Sequence, residues 1–195
     1  MTTPNILTWE EYLQKFNDIL NGDITSAPYD NEDYLNYVKL NRSRQDRWLK
    51  KLKLNEKLVH LVKQINTPQT WYAITEPWCG DAAHNLPVFY LLSQLNEHIE
   101  FKIVLRDTPP FMIEEYLTNG GKSVPKIVVR NEKEEDLFTW GPRPKEAQDL
   151  MLSFKENNTP FEEQKIILQQ WYNKNKGEDI QREISLLLEN VLQLA

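Results

Sequence analysis

The chain of 195 residues has a single cysteine. It can form no intramolecular disulfide and no zinc or iron–sulfur cage built from several cysteines. Long apolar runs are missing too. The longest uncharged one, Leu86 to Leu92, has seven residues and contains Pro87, against about 20 needed to span a bilayer. The opening MTTPNILTWEEYLQKF has no cationic stretch and turns acidic at Glu10, so no secretory signal is expected. The expectation is a cytoplasmic protein without a membrane partner. Histidines at ligand spacing are lacking as well. Asp81 and His84 share a helix face while Cys79 points elsewhere, and His60 and His98 stand alone, so neither a metal nor a cofactor is expected. No fixed-period repeat or low-complexity tract is present. A net charge of −6 argues against nucleic acid as a partner.

What the chain does have is aromatic surface: 6 Trp, 8 Tyr and 7 Phe within an apolar fraction of 40%, enough for one core with extensions. Three textures follow one another. Residues 1–66 read helical throughout. Trp9, Tyr12, Leu13, Phe16, Ile19 and Leu20 share one face behind a Thr8/Glu11 capping box, and Gly22 is the stop. A second helix is expected from Asn31, with Tyr34, Tyr37, Val38, Trp48 and Leu52 inward, and a third from Asn55. Residues 67–142 change rhythm. Thr70 to Thr75, Ile99 to Leu105, Lys126 to Arg130 and Asp136 to Trp140 read as strands, with helices over Cys79 to Asn96 and Phe111 to Leu117. The order is β-α-β-α-β-β, an α/β arrangement with a right-handed first crossover. Residues 143–195 are helical again. Thr159, Pro160 and Glu162 read as cap, first-turn proline and capping-box acid, and Ile180, Ile184, Leu187, Leu188 and Val191 form a stripe on the last helix. These last helices are expected to carry packing and no chemistry.

Unusual residues converge at Thr75-Glu76-Pro77-Trp78-Cys79-Gly80-Asp81-Ala82-Ala83. A strand ends, a proline turns the chain, and a cysteine stands where a helix begins. Unpaired amides and the positive end of the helix dipole favour thiolate there, Gly80 opens an approach to the sulfur, and the Asp81 charge works against a second anion. The expectation is an accessible thiol, partly activated; the alternative is a small buried hydrophobe. Asp81 has three readings: tuning the thiol, holding a cation, or complementing the first helical turn. The basic run Lys39, Arg42, Arg44, Arg47, Lys50, Lys51, Lys53 and Lys57 is broken by Asp46 and Glu56. It reads first as a solvated helical face, with an anionic partner as the alternative.

At these residues the chain resembles the thioredoxin superfamily. Trp78-Cys79-Gly80 looks like the opening of the family's Trp-Cys-Gly-Pro-Cys site. Pro87 lies eight positions after Cys79, Ser123-Val124-Pro125-Lys126 looks like the cis-proline segment, and Gly141 follows the last strand. The likeness covers about residues 67–155. The departures are Ala82 for the second cysteine, Asp81 for the proline, Ala73 for the buried acid, and a helical segment where the first strand is expected. With these departures the chain resembles bacterial thioredoxin-like proteins with a Trp-Cys-Gly-Asp signature and an N-terminal helical region.

The resemblance implies a thioredoxin-like core, a four-stranded mixed sheet of strand order 2-1-3-4. Residues 1–66 form an N-terminal helical extension, 67–155 the core, and 156–195 a C-terminal helical extension. The added helices pack onto the core or onto a second copy of the chain. Two functions are carried. In the first the chain is a monothiol thiol–disulfide oxidoreductase. Cys79 is the nucleophile, with Trp78, Gly80 and Asp81 around it, and Val124, Pro125, Lys126 and Trp140 receive a thiol or disulfide protein or a low-molecular-weight thiol. An external thiol must resolve the mixed disulfide, since no internal one exists. Lys122, Lys126 and Arg143 would draw the carboxylates of a glutathione-like thiol. In the second the fold is an inactive interaction module whose helices bind a protein. The sequence lacks the Pro-x-x-x-Thr-x-x-Cys pattern of a cysteine peroxidase.

Overall fold

The computed structural model describes residues 6–194. Five strands form one mixed sheet: β1 (Ile6–Leu7), β2 (Gln69–Thr75), β3 (Ile99–Leu105), β4 (Lys126–Asn131) and β5 (Asp136–Trp140). Seven α-helices surround it: α1 (Trp9–Asn21), α2 (Glu32–Lys51), α3 (Glu56–Gln64), α4 (Gly80–Ser93), α5 (Lys145–Glu156), α6 (Phe161–Asn175) and α7 (Glu178–Leu194). No helix among the described residues is long and apolar enough to cross a membrane.

The sheet order is β1-β3-β2-β4-β5: five strands replace the expected four, because β1 is added outside β3, while the four expected strands lie side by side as β3-β2-β4-β5, the 2-1-3-4 arrangement. The parallel β2–β3 pair and the antiparallel β2–β4 and β4–β5 pairs are flanked by β1, antiparallel on the outer edge of β3. The segment read as helical throughout therefore begins with a strand. Two residues are too few to show a period of two, and what recruits them is the open edge of β3, whose unpaired backbone groups at Ile103 and Val104 need a partner.

Local chemistry explains most helix starts. The α1 capping box closes as read, with the Thr8 N–H donating to Glu11 Oε2 at 2.7 Å and the Glu11 N–H to Thr8 Oγ1 at 3.1 Å. Gly22 ends the helix in the left-handed region, φ +84°. Asn31 and Asn55 cap α2 and α3. Two expectations at α6 are corrected. Pro160 is itself the cap residue, and Thr159 offers its carbonyl to the Gln164 side chain at 2.7 Å instead of capping with its hydroxyl. The expected helix over Phe111 to Leu117 is a single 3-10 turn, Met112–Glu115.

β2 is buried almost throughout, and α4 is buried nearly all round, because both lie in the middle of the molecule. The flanking helices join the same core. Trp9, Tyr12, Phe16 and Ile19 of α1, Val38 of α2, Leu58 and Val62 of α3, and Ile180, Ile184 and Leu188 of α7 belong to one cluster with Trp71, Phe89 and Val128. Tyr34 stays exposed, contrary to its expected inward place, since it sits in the first turn of α2 before that helix meets the core.

Gly141 joins β5 to the segment before α5. At its φ of +114°, a Cβ would stand 2.3 Å from the Pro125 carbonyl oxygen. Neither the backbone conformation nor the backbone neighbour can yield cheaply. Gly141→Ala is expected to cost about 3 kcal/mol in urea unfolding; a loss below about 1 kcal/mol would show that this junction relaxes freely.

Candidate functional site

β2 ends at Thr75, and the turn Glu76-Pro77-Trp78 delivers Cys79 as the cap residue of α4. The turn is held from within and from outside. The Cys79 N–H donates to the Glu76 carbonyl at 3.0 Å, and the Asn41 side chain of α2 donates to the Pro77 carbonyl at 3.0 Å. The Glu76 carboxylate is buried. It accepts from the Asp107 N–H at 2.9 Å and from the Tyr29 hydroxyl at 3.5 Å, and burial raises its pKa.

Cys79 joins two parts of the fold. Its thiol donates to the Val124 carbonyl at 3.2 Å, and its sulfur accepts the Ala82 N–H at 3.4 Å. The Val124–Pro125 peptide bond is cis. Cys79 is 6% exposed. Burial, then the Asp81 charge, push its pKa up to about 12, and the Ala82 amide recovers little of this. The protonated thiol therefore predominates at pH 7. The expected accessible, partly activated thiol is thus corrected. The helix-end amides act as foreseen, but desolvation outweighs them, because α2 from the N-terminal segment lies across the turn.

Asp81 is 8% exposed and fully engaged. Arg143 pairs with one oxygen at 2.7 Å and the Tyr172 hydroxyl of α6 donates to the other at 2.7 Å. The Asn85 amide in turn donates to the Tyr172 oxygen at 3.2 Å. His84, one turn on, is enclosed. Trp48 Nε1–H donates to His84 Nδ1 at 2.7 Å, Gln169 Oε1 lies 3.3 Å from Nε2, and the ring stacks on Tyr172 with centroids 4.1 Å apart. That network assigns the proton of a neutral imidazole to Nε2. Burial, with the nearby Arg44 charge, lowers the His84 pKa to about 3.

The remaining candidate residues lie in different places. Trp78 is half-buried, with the Arg106 guanidinium 4.6 Å above its ring and Tyr34 edge-on at 6.1 Å. Trp140, expected to receive a substrate, is turned inward. It is buried, tilted against Phe89 at 5.4 Å, and its indole N–H donates to Glu183 of α7 at 2.7 Å. The expected cationic rim is not assembled either. Lys122 pairs with Glu114 at 2.7 Å, Arg143 with Asp81, and Lys126 is buried with Nζ donating to the Gly141 carbonyl at 3.3 Å. Gly80 faces Arg44, whose Nη1 is 3.5 Å from the position of a Cβ. No group of three or more His, Cys, Asp or Glu able to hold a metal occurs among the described residues.

Sequence reasoning placed Tyr12 on an apolar face without a role for its hydroxyl, and assigned no polar role to Asn41, Gln45, Tyr172 and Glu183. A signal existed for two of them. Val38, Asn41, Gln45 and Trp48 follow one another at helical spacing, which puts two amides on the buried face of α2. Below the turn, the Tyr12 hydroxyl and both polar atoms of Gln45 are buried without hydrogen-bond partners. Nothing local marks Tyr172 or Glu183; their long-range partners bring them in.

This sheet, with a cysteine capping the helix after its central strand and a proline-led strand opposite, defines a thioredoxin-like protein. A protein-family model described as Thioredoxin matches residues 27–164, more than half of the chain, and the chain belongs to that family. No curated protein matches it. Among solved structures, it is similar to a protein of unknown function from Pseudomonas aeruginosa, with 17% identity and a TM-score of 0.59 over 79% of this chain and 89% of that one. It is also similar to an HIV epitope scaffold, with 16% identity and a TM-score of 0.55 over 94% of this chain and 99% of the other. Likeness at such identities extends to the fold alone.

The His84 pKa, depressed to about 3, sets a pH dependence. Below about pH 6.5 the unfolded chain protonates this histidine while the folded chain does not, so stability is complete above that pH and falls toward pH 3. Between pH 7 and pH 5 the loss from His84 is on the order of 2 kcal/mol. His84→Gln should remove that part of the slope in urea unfolding at the two pH values. An unchanged slope would show that His84 titrates normally.

Proposed function

We propose that this chain works as a thioredoxin-fold protein-interaction module in which Cys79 is kept as a closed, protonated thiol. One observation carries the reading: a side chain only 6% exposed donates a hydrogen bond from its thiol to the Val124 carbonyl at 3.2 Å. Exchange with a disulfide needs a thiolate that reaches the partner's sulfur. In this chain the proton is retained, the sulfur is covered, and the carbonyl that an extended substrate would engage already has a donor. Ala82 supplies no second thiol. The flanking helices seal the turn and at the same time present new surface, which is the feature an interaction module needs.

The second reading is the monothiol oxidoreductase, with Cys79 as nucleophile and an external thiol to resolve it. It has an observation of its own, the Ala82 N–H aimed at the sulfur at 3.4 Å, which would support a thiolate if the covering helix moved. A thiol or disulfide protein, or a low-molecular-weight thiol, is the partner under that reading alone. A cytoplasmic location suits both, since a lone thiol persists in a reducing compartment.

Alkylation with iodoacetamide between about pH 4 and pH 10, with Cys79→Ser as blank, separates the two. The module predicts negligible labelling of the folded protein across that range and rapid labelling in denaturant. Fast labelling of the folded protein with a midpoint below about 7.5, against about 8.5 for an ordinary thiol, would overturn it and restore the oxidoreductase. Tyr172→Phe removes the hydroxyl that ties α6 to Asp81 and is expected to cost about 1–3 kcal/mol in urea unfolding. An unchanged stability would show that this hydrogen bond does not hold the helix in place.

A further inference from the structure

Beside the Trp78 turn, α2 and α6 form a seam whose chemistry the thiol does not use. Tyr37, Leu40, Arg44 and Arg47 follow at helical spacing along one flank of α2. The Arg44 guanidinium is half-buried and donates to Asn41 Oδ1 at 2.9 Å, and Arg47 donates to Asn173 Oδ1 of α6 at 2.8 Å. Among the described residues neither forms an ion pair with a carboxylate, although the chain as a whole carries a net charge of −6. Two guanidiniums a helical turn apart, one partly withdrawn from water, are an unneutralised charge with most of their donors unassigned. Burial first, and the Arg47 charge second, lower the Arg44 pKa, and the Asp81 charge, already paired with Arg143, offsets them only in part.

Next to the arginines runs a ridge of rings. Trp78 and Tyr34 meet edge-on at 6.1 Å, Tyr34 and Tyr37 at 6.3 Å, and Lys165 lies over both Tyr37 at 5.5 Å and Phe161 at 5.0 Å. Phe161 is 64% exposed, and Tyr34 and Leu40 are exposed too. Aromatic and arginine side chains are the groups that dominate binding surfaces. Of the carboxylates around the seam, Glu32 and Asp33 lie in the first turn of α2, Glu162 is paired with Lys165 at 2.6 Å, Asp46 is paired with Arg42, and Asp81, whose charge reaches Arg44, is held by Arg143. The face is therefore polarised, rings toward one end and free cations toward the other.

We propose that this face docks an acidic segment of a partner protein, its carboxylates on Arg44 and Arg47 and its apolar side chains along Trp78, Tyr34, Tyr37 and Phe161. This rests on the interaction-module reading and names the class of partner. Charge complementarity selects the occupant: a basic segment would meet the two arginines, and a second copy of the same face would oppose like charges. From Tyr34 to Arg47 the helix runs about 20 Å, which an extended segment of about six residues covers.

The test is fluorescence anisotropy on the full chain. The probe is a fluorescein-labelled peptide, Leu-Trp-Leu-Pro-Glu-Glu-Asp-Glu; the controls are the same peptide with Lys for each acid, a single-stranded oligonucleotide, and inorganic phosphate as competitor. The acidic peptide should bind saturably, weaken as salt screens the arginines, and lose at least about tenfold in affinity with Arg47→Glu or with Tyr34→Ala plus Tyr37→Ala. Arg47→Lys should keep most of the binding, and urea unfolding of each variant checks that it is folded. No saturable binding of the acidic peptide, equal binding of the lysine peptide, indifference to Arg47→Glu, or tighter binding of the oligonucleotide would each overturn the proposal. Displacement by phosphate at constant ionic strength would also overturn it, by showing a small-anion site instead. Failure of the underlying reading is seen separately, as rapid labelling of Cys79; an inert Cys79 with no peptide binding defeats the acidic-segment proposal alone.

Discussion

A carboxylate withdrawn from water must be given partners, and Asp81 is the group on which this architecture turns. It lies in the first turn of α4, where the helix dipole accepts a negative charge, but that position is also covered by other helices. Arg143 from the segment after β5 and Tyr172 from α6 meet it, so one side chain draws in both the end of the sheet and a C-terminal helix. The tyrosine then stacks on His84, which takes the Trp48 indole proton from α2. A chain of polar contacts thus ties N- and C-terminal helices to the helix that carries the cysteine. Removing one member strands the others in a medium of low polarity, which is why such networks hold a fold in one arrangement.

The consequence for Cys79 follows from the same constraint. Helix-end amides favour a thiolate by a small amount, whereas burial opposes charge by several times more. Where the turn lies open to water the first effect has room to act. With α2 across the turn and a carboxylate two positions away, the second wins, and the thiol keeps its proton and donates it in a hydrogen bond to the Val124 carbonyl. The residue types of a reactive cysteine are all present; the surroundings decide that the sulfur behaves as a small core side chain with one hydrogen bond. The helix that closes the site also carries Arg44 and Arg47, so sealing the sulfur and presenting a charged outer face are two results of one packing event.

Much of this could be read directly from the chain. The Thr8/Glu11 box, the Asn31 and Asn55 caps and the Gly22 stop are local chemistry among neighbouring residues, and they act wherever the segment lies. The alternation of strand and helix patterns over residues 67–142, the cysteine at a strand-to-helix turn and the proline-led strand were equally legible. The errors have two origins. Two residues of strand at Ile6–Leu7, the inward turn of Trp140 toward Glu183 and the tie of Lys126 to Gly141 depend on partners brought close by the fold, while Thr159 and Lys122 take partners five and eight residues away whose choice the turn geometry sets.

By itself the sequence determined where most of the helices and the four long strands lie, which faces are apolar, that the fold is α/β with a thioredoxin-like order, and that no second thiol exists to complete a redox cycle. Those properties depend on short-range periodicity, capping and composition. Only the tertiary structure decided whether the thiol is open, what Asp81 holds, and which cations are left without a counter-charge. Solvation and pairing are set by whatever packs nearby in space, and a helix that begins some fifty residues before the cysteine supplies that cover.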